Sequence, residues 1–130
     1  MKDIRILFLA PNWKVSLTRM FQQSPTEKVT LVGADSDPHS AALKVMDRSY
    51  VVPQFSEQRC VDEIRDICEK ENIHTILPMT NKAIAFMDQN RDRFDKDNLS
   101  MYLADSVAIQ TCTDKRRLAD FFQKNDIVRK

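Results

Sequence analysis

Four polar residues follow predicted strands and are the best candidates in this chain for binding a substrate. Asn12, Asp35, Asn81 and Ser106 each come shortly after a short apolar segment. Open α/β sheets bind ligands beyond the carboxyl ends of their parallel strands, where the loops meet at one edge. We therefore predict that these four residues line a substrate cleft at that edge. Each could equally be an ordinary helix cap or turn residue, because Asn, Asp and Ser are common at such positions.

The sequence contains none of the motifs that mark common catalytic or metal sites. It has no GxSxG, no HExxH and no P-loop. Cys60, Cys68 and Cys112 form no CxxC pair, and neither histidine falls close to them in sequence, which argues against a zinc site. We predict no catalytic residue and no metal site, and we expect reduced cysteines that fill space in the core.

The position of Asp35 after the second predicted strand is also that of the ribose-binding acid in dinucleotide-binding domains. The first turn, Leu9–Lys14, contains no glycine, and Gly33 is the only glycine of the chain. A pyrophosphate could not approach the backbone of such a turn closely, because glycine is what permits that approach. We therefore expect no dinucleotide site.

The charges of the chain are almost balanced. The 130 residues include 20 Lys and Arg against 19 Asp and Glu, which gives a net charge of +1. This balance gives no reason to expect nucleic acid or an anionic membrane as a partner. No apolar segment approaches the ~20 residues of a membrane span, and the first residues show no signal-peptide pattern. We therefore predict a cytoplasmic protein and a single domain over residues 1–130.

Apolar segments that alternate with helical patterns must position the four polar residues. Five segments predict strands: Ile4–Leu9, Val29–Val32, Tyr50–Val52, His74–Leu77 and Leu99–Leu103. Helices are predicted over 13–23, 39–46, 56–71 and 81–94 and after Ser106 and Thr113. Ser56, Thr80 or Asn81, Ser106 and Thr113 are the predicted N-caps, and Asn72 can close the helix that ends at residue 71. This alternation implies parallel strands joined by right-handed crossovers. The predicted fold is an α/β, Rossmann-like three-layer α/β/α domain with a mainly parallel sheet of about five strands.

Short segments along almost the whole chain match one known family in order and spacing. After the opening strand, these segments are Val32–Pro38, Ala41–Leu43 with Asp47, Tyr50–Pro53, Ile67–Glu71, Ile76–Pro78, Asn90–Phe94 and Cys112–Lys115. Together they resemble the N-terminal pre-ATP-grasp domain of the ATP-grasp ligases, especially proteins similar to the large subunit of carbamoyl phosphate synthase.

The resemblance implies a ligase that uses ATP and Mg²⁺ to activate a carboxylate as an acyl phosphate, which an amine or a similar nucleophile then attacks. Both cofactors would be held by a catalytic ATP-grasp domain expected after Lys130, so this chain alone would bind neither and would be inactive. Its partners would be that downstream domain, a small-molecule substrate and, through apolar surface left exposed, a second copy of the chain. The alternative is a free-standing Rossmann-like module for binding or oligomerisation, without catalysis.

The resemblance also suggests roles for individual residues. Asp35 corresponds to the acid that follows the second strand. Where relatives often have a glycine and basic residues after the first strand, this chain has Pro11–Lys14, and where they often have an acid pair after the fourth strand, it has Asn81 and Ala83. These departures suggest a different acceptor or a packing partner. Asp114 and Lys115 are predicted to anchor the last helix at the domain junction.

Overall fold

Five parallel strands form the centre of the fold in the computed structural model, which describes residues 3–95 and 99–127. The strands are β1 (Asp3–Leu9), β2 (Lys28–Asp35), β3 (Arg48–Val51), β4 (Thr75–Pro78) and β5 (Ser100–Met101). Their order in the sheet is β3-β2-β1-β4-β5, and every neighbouring pair is parallel. The direction of strand succession therefore reverses between β1 and β4, where the loops of an open sheet diverge.

Helices cover both faces of this sheet. They are α1 (Val15–Gln22), a 3-10 helix (Ala41–Val45), α2 (Arg59–Lys70), α3 (Asn81–Gln89), α4 (Arg91–Phe94), α5 (Ser106–Thr113) and α6 (Lys115–Lys124). The predicted three-layer, Rossmann-like α/β fold is confirmed. Among these helices of the described chain, none has the length and the apolar character needed to cross a bilayer.

Successive side chains of β1 point to opposite faces of the sheet, and both faces are packed. Leu7 and Leu9 belong to the main buried cluster, which also contains apolar residues of α2, α3 and α4. Phe8 points to the opposite face, where its ring packs edge-on against Phe21 of α1 at 5.2 Å between centroids. Since successive side chains of a strand point to opposite faces, one short apolar run supplies both cores.

The end of α2 is fixed by its own backbone, as the sequence predicts from Asn72. Asn72 has φ 52°, a left-handed conformation that asparagine tolerates better than most residues. The N–H of Ile73 donates to the carbonyl of Cys68 at 2.9 Å, and the N–H of Asn72 donates to Glu69 at 3.3 Å. These two bonds form a Schellman motif, which directs the chain into β4.

Three predicted caps and one predicted helix are wrong in detail. Helix α2 begins at Arg59 rather than near Ser56, and its first turn has no side-chain cap. Helix α5 is capped by Asp105, the residue before the predicted cap Ser106. Helix α6 is capped by Asp114, the residue after the predicted cap Thr113. The helix predicted to run to Phe94 is divided at Asn90, whose side-chain amide donates to the Phe86 carbonyl at 2.8 Å and ends α3.

Candidate functional site

An open cleft of about 850 Å³ lies at the carboxyl edge of the sheet. It is lined by Ala10, Asn12, Asp35, Ser36, Gln54, Phe55, Ser56, Thr80, Asn81, Lys82, Ala85, Phe86 and Gln89. The turns after β1 and β4 form opposite walls, so the cleft is at the reversal of strand order where open α/β sheets bind ligands. The structure thus brings three of the four predicted residues to one cleft.

Asp35 is the buried acid of this cleft, with only 4% of its surface exposed. One carboxylate oxygen, Oδ2, accepts a hydrogen bond from the backbone N–H of Asn12 at 3.1 Å. The other, Oδ1, accepts one from the N–H of Asp37, also at 3.1 Å. The side chain therefore connects the turn after β1 to the turn after β2, and each of its oxygens has a backbone donor.

The turn after β1 has an unusual backbone. Ala10 has φ 57° and Asn12 has φ 49°, and left-handed conformations are disfavoured for residues with a side chain. The carbonyl of Asn12 accepts hydrogen bonds from the N–H of Ala42 at 3.0 Å and from Oγ of Ser40 at 2.9 Å. The Asn12 residue is therefore held through both its N–H and its carbonyl, which offsets the cost of this conformation.

The opposite wall is the first turn of α3. Thr80 caps this helix, as predicted, because its Oγ1 accepts a hydrogen bond from the N–H of Ala83 at 3.1 Å. Asn81 and Lys82 follow with exposed side chains at the rim of the cleft. Of the residues that line the cleft, Lys82 is the basic one and Asp35 the acidic one.

Sequence reasoning missed Lys82 and Gln89, although a signal for both was present. Once Thr80 is accepted as a cap, Lys82 is in the first helical turn at the carboxyl edge of the sheet. Gln89 is seven residues further along α3, which places it on the same helical face. Gln54 and Ser56 carried no comparable signal, because they line the cleft from an irregular loop between β3 and α2.

Ser106 is not at the cleft. Its Oγ donates to Oδ1 of Asp88 at 2.6 Å, and Nε of Arg91 donates to the same oxygen at 2.7 Å. The bond from Ser106 and then that from Arg91 lower the pKa of the Asp88 carboxyl. Arg91 also donates to the carbonyl of Ala104. Ser106 thus fastens the start of α5 to α3 and α4, and the structure does not bring it to the other three predicted residues.

Asp114 anchors the start of α6, whereas its place at a domain junction stays a prediction. Its Oδ1 accepts hydrogen bonds from the N–H groups of Arg116 at 2.8 Å and Arg117 at 3.3 Å. Lys115 is the first residue of the helix and is exposed.

The residues present do not fit ATP with Mg²⁺. Within residues 3–95 and 99–127, no three His, Cys, Asp or Glu residues are grouped so that they could hold a metal ion. Both oxygens of Asp35 already accept backbone bonds. In the turn after β1, Pro11 has no N–H and the N–H of Asn12 is taken by Asp35, so these two residues offer a phosphate no free donor. We therefore assign neither cofactor to the described residues.

Several known structures share this fold. They include the glycinamide-RNase-transformylase T of Mycobacterium tuberculosis, 13% identical with a TM-score of 0.66, and an L-amino acid ligase of Bacillus licheniformis, 12% identical with a TM-score of 0.68. The N5-carboxyaminoimidazole ribonucleotide synthetase of Thermotoga maritima is 14% identical with a TM-score of 0.58. The matches cover 93%, 97% and 94% of this chain, respectively, but only 35%, 31% and 31% of the others, so the chain spans about a third of their length.

A comparison with curated protein sequences gave no match. A family model described as the PylC-like N-terminal domain matches residues 6–102, from within β1 to just after β5. This match and the shared fold confirm the resemblance to an N-terminal, pre-ATP-grasp domain, while the closer likeness to carbamoyl phosphate synthase stays a prediction. Because the matched residues make up well over half of the sequence, the chain belongs to the family of PylC-like N-terminal domains.

Proposed function

We propose that this domain forms the acceptor-substrate side of an ATP-dependent carboxylate–amine ligase of the ATP-grasp type. The observation that carries the proposal is the cleft at the reversal of strand order, which has polar residues on both walls. Membership of the PylC-like N-terminal family supports it. One structural neighbour is named an L-amino acid ligase, and we take an amino acid as the class of acceptor.

In this role the cleft binds and orients the acceptor. The side-chain amides of Asn12, Asn81 and Gln89 can both donate and accept hydrogen bonds, which suits an amine. Lys82 can form a charge-assisted bond with a carboxylate of the same molecule. Holding an amine in line with an activated carboxylate accelerates the reaction chiefly by removing the need for a productive collision. We assign no catalytic residue to this chain.

ATP and Mg²⁺ belong in this proposal to a catalytic ATP-grasp domain of a longer protein, where they supply the energy that activates the carboxylate. The 130-residue chain alone should therefore release no phosphate from ATP. The reading frame beyond the codon for Lys130 separates this proposal from a free-standing binding module. A continuing ATP-grasp domain supports the ligase, and a native stop codon supports the module.

The proposal is tested with the protein encoded by that complete reading frame. ADP release is measured with Mg-ATP and pairs of L-amino acids, and we expect release that depends on both members of a pair. Lys82→Gln should raise the KM for the acceptor about tenfold and leave kcat little changed, because it removes a charge-assisted bond used in binding.

Gln89→Ala and Gln123→Ala form a matched pair for this assay. Both glutamines are exposed near the end of a helix, but only Gln89 lines the cleft. We expect Gln89→Ala to raise the KM for the acceptor and Gln123→Ala to leave it unchanged. Equal effects of the two substitutions, or no effect of Lys82→Gln, would show that the acceptor binds elsewhere. Absence of ADP release with every pair tested would contradict an amino acid ligase.

A further inference from the structure

We infer that Asp35 is a positioning residue whose carboxylate acts as an internal anion. It accepts hydrogen bonds from the backbone N–H groups of two turns and so holds Asn12 at the cleft wall. The inference rests on the proposed function for the role of the cleft. It assigns to Asp35 a task other than touching the substrate, and it assigns the direct contact on this wall to Asn12.

The hydrogen bonds of Asp35 support this assignment. The carboxylate is buried, and its two oxygens accept from the N–H of Asn12 and the N–H of Asp37. A backbone N–H needs an acceptor, so without this carboxylate the two donors would require another anion or water. Asp35 meets that requirement from within the chain. Its carbonyl also accepts from the N–H of Val52 at 3.0 Å, which fixes the residue between β1 and β3.

The conformation of Asn12 makes the internal anion necessary. Asn12 and Ala10 both have left-handed φ values, with only Pro11 between them. A turn with two such residues persists only where surrounding bonds hold it. The Asn12 carbonyl is held by Ser40 and Ala42, and the Asn12 N–H is held by Asp35. Loss of the carboxylate would release one side of the residue and let its side chain leave the cleft wall.

This arrangement also restricts what can bind on the β1 wall. Turns that bind phosphate present free N–H groups to it. Here the Asn12 donor faces Asp35, and Pro11 contributes none. A bound phosphate would also lie next to a carboxylate of the same charge. Pro11 and Asn12 on the β1 wall therefore disfavour phosphate, and Lys82 on the α3 wall is the cationic side chain of the cleft that can pair with an anion of the ligand.

The test replaces the internal anion with an external one. Asp35→Ala leaves two N–H donors around a space that formate can fill. In the ¹⁵N-labelled 130-residue chain, we expect hydrogen exchange at the Asn12 and Asp37 amides to become about tenfold faster in this variant. Sodium formate should then slow both amides again in a saturable manner. The wild-type chain should show no response at these two amides to formate or to inorganic phosphate.

Asp37→Ala is the matched control. Asp37 also accepts a backbone bond, from the N–H of His39 at 2.9 Å, but it is exposed and does not line the cleft. Formate should not change the Asn12 amide in this variant. An unchanged Asn12 amide in Asp35→Ala, or a failure of formate to restore it, would overturn the inference.

A second variant covers the case in which Asp35→Ala does not fold. Asp35→Asn keeps the shape of the side chain and one acceptor oxygen, but it presents an NH₂ group where the other oxygen was. We expect one of the two amides to lose protection while the other keeps it, and protection of both would contradict the inference. These measurements contain no substrate, so their failure and a failure of the ligase assay are read separately.

Discussion

Gly33 shows how one residue determines packing in this fold. It lies in β2, directly beneath the segment that contains the 3-10 helix. A Cβ added at this position would come within 2.3 Å of Sδ of Met46 and 2.6 Å of Cδ2 of Leu43. Glycine fits here because the side chains of Met46 and Leu43 pack directly over it, so a Cβ would require both side chains to shift, and its backbone does not use a positive φ.

We expect Gly33→Ala to destabilise the domain by about 1–3 kcal/mol, the usual cost of overpacking a filled core. The new methyl group must displace Met46 and Leu43. Urea unfolding followed by circular dichroism measures the change, with the midpoint falling and the slope unchanged if the native compactness is kept.

Met46→Ala provides the matched test of that explanation. Introduced together with Gly33→Ala, it opens the space that the methyl group needs. The double variant should be more stable than the sum of the two single effects predicts. If the effects of the two substitutions simply add, contact with Met46 is not the cause of the destabilisation by Gly33→Ala.

For individual residues of the site, sequence reasoning was right in some cases and wrong in others. Asn12, Asp35 and Asn81 could be predicted, because strand ends are legible in the sequence and all strands run parallel. Ser106 could not be excluded, because its bond to Asp88 joins residues of two different helices. The left-handed φ of Asn12 depends on Asp35 and Ser40, and a pattern of residue types does not contain such contacts.

At the scale of the element, the positions of the helix caps were predicted only in part. Asp105 and Asp114 are the caps, while the adjacent Ser106 and Thr113 are of residue types that also cap helices well. Where two such residues are neighbours, the choice depends on how the incoming chain is directed, which tertiary contacts decide. The end of α2 at Asn72 was predictable because asparagine is one of few residues that accept a left-handed conformation.

Helix α2 carries two buried thiols whose pKa values are raised, Cys60 and Cys68. Burial raises the pKa of the Cys68 thiol to about 12. Burial, and then the charges of Glu63 and Glu57, raise that of Cys60 to about 11. Just beyond the helix, Glu71 accepts a hydrogen bond from the Tyr50 hydroxyl at 2.7 Å, and this bond is the main cause that raises the pKa of Tyr50.

These groups predict a loss of stability in alkali. In the unfolded chain the thiols release protons near their ordinary pKa of 9.0. In the folded chain the pKa of Cys60 is raised to about 11 and that of Cys68 to about 12. The unfolded state therefore binds fewer protons in this window, and the free energy of unfolding should fall as pH rises above 9. The slope should be about 1.4 kcal/mol per pH unit for each group that titrates only when unfolded. Urea titrations at pH 8 to 11 measure it.

Cys68→Ala separates the thiols from other alkaline effects. This variant removes one of the two buried thiols and should flatten the decline by the contribution of one group. Cys112 provides the control. It is exposed, contrary to the expectation that the cysteines fill space in the core, and Cys112→Ala should therefore leave the slope unchanged. A decline that is identical in all three proteins would show that the buried thiols do not cause it.

At the scale of the whole molecule, the sheet was predictable and its outer surface was not. Regular alternation of strands and helices is sufficient to imply parallel pairing and one shared carboxyl edge. Alternation does not indicate which apolar residues stay exposed. Tyr102 is 76% exposed beside an apolar cavity of about 380 Å³, and Phe121 of α6 is 46% exposed. No residue of α6 is buried, so the described structure leaves the apolar face of this helix largely uncovered.

We expect these exposed apolar side chains to make the 130-residue chain self-associate reversibly, because exposed apolar surface is buried when a second copy covers it. Sedimentation velocity should show a weight-average sedimentation coefficient that rises with concentration. Phe121→Ser combined with Tyr102→Ser should reduce this rise. Val51→Thr is the control, because Val51 is 60% exposed on β3, at the opposite edge of the sheet from β5. A constant coefficient up to high concentration would contradict self-association, and a greater effect of Val51→Thr would place the contact at the β3 edge.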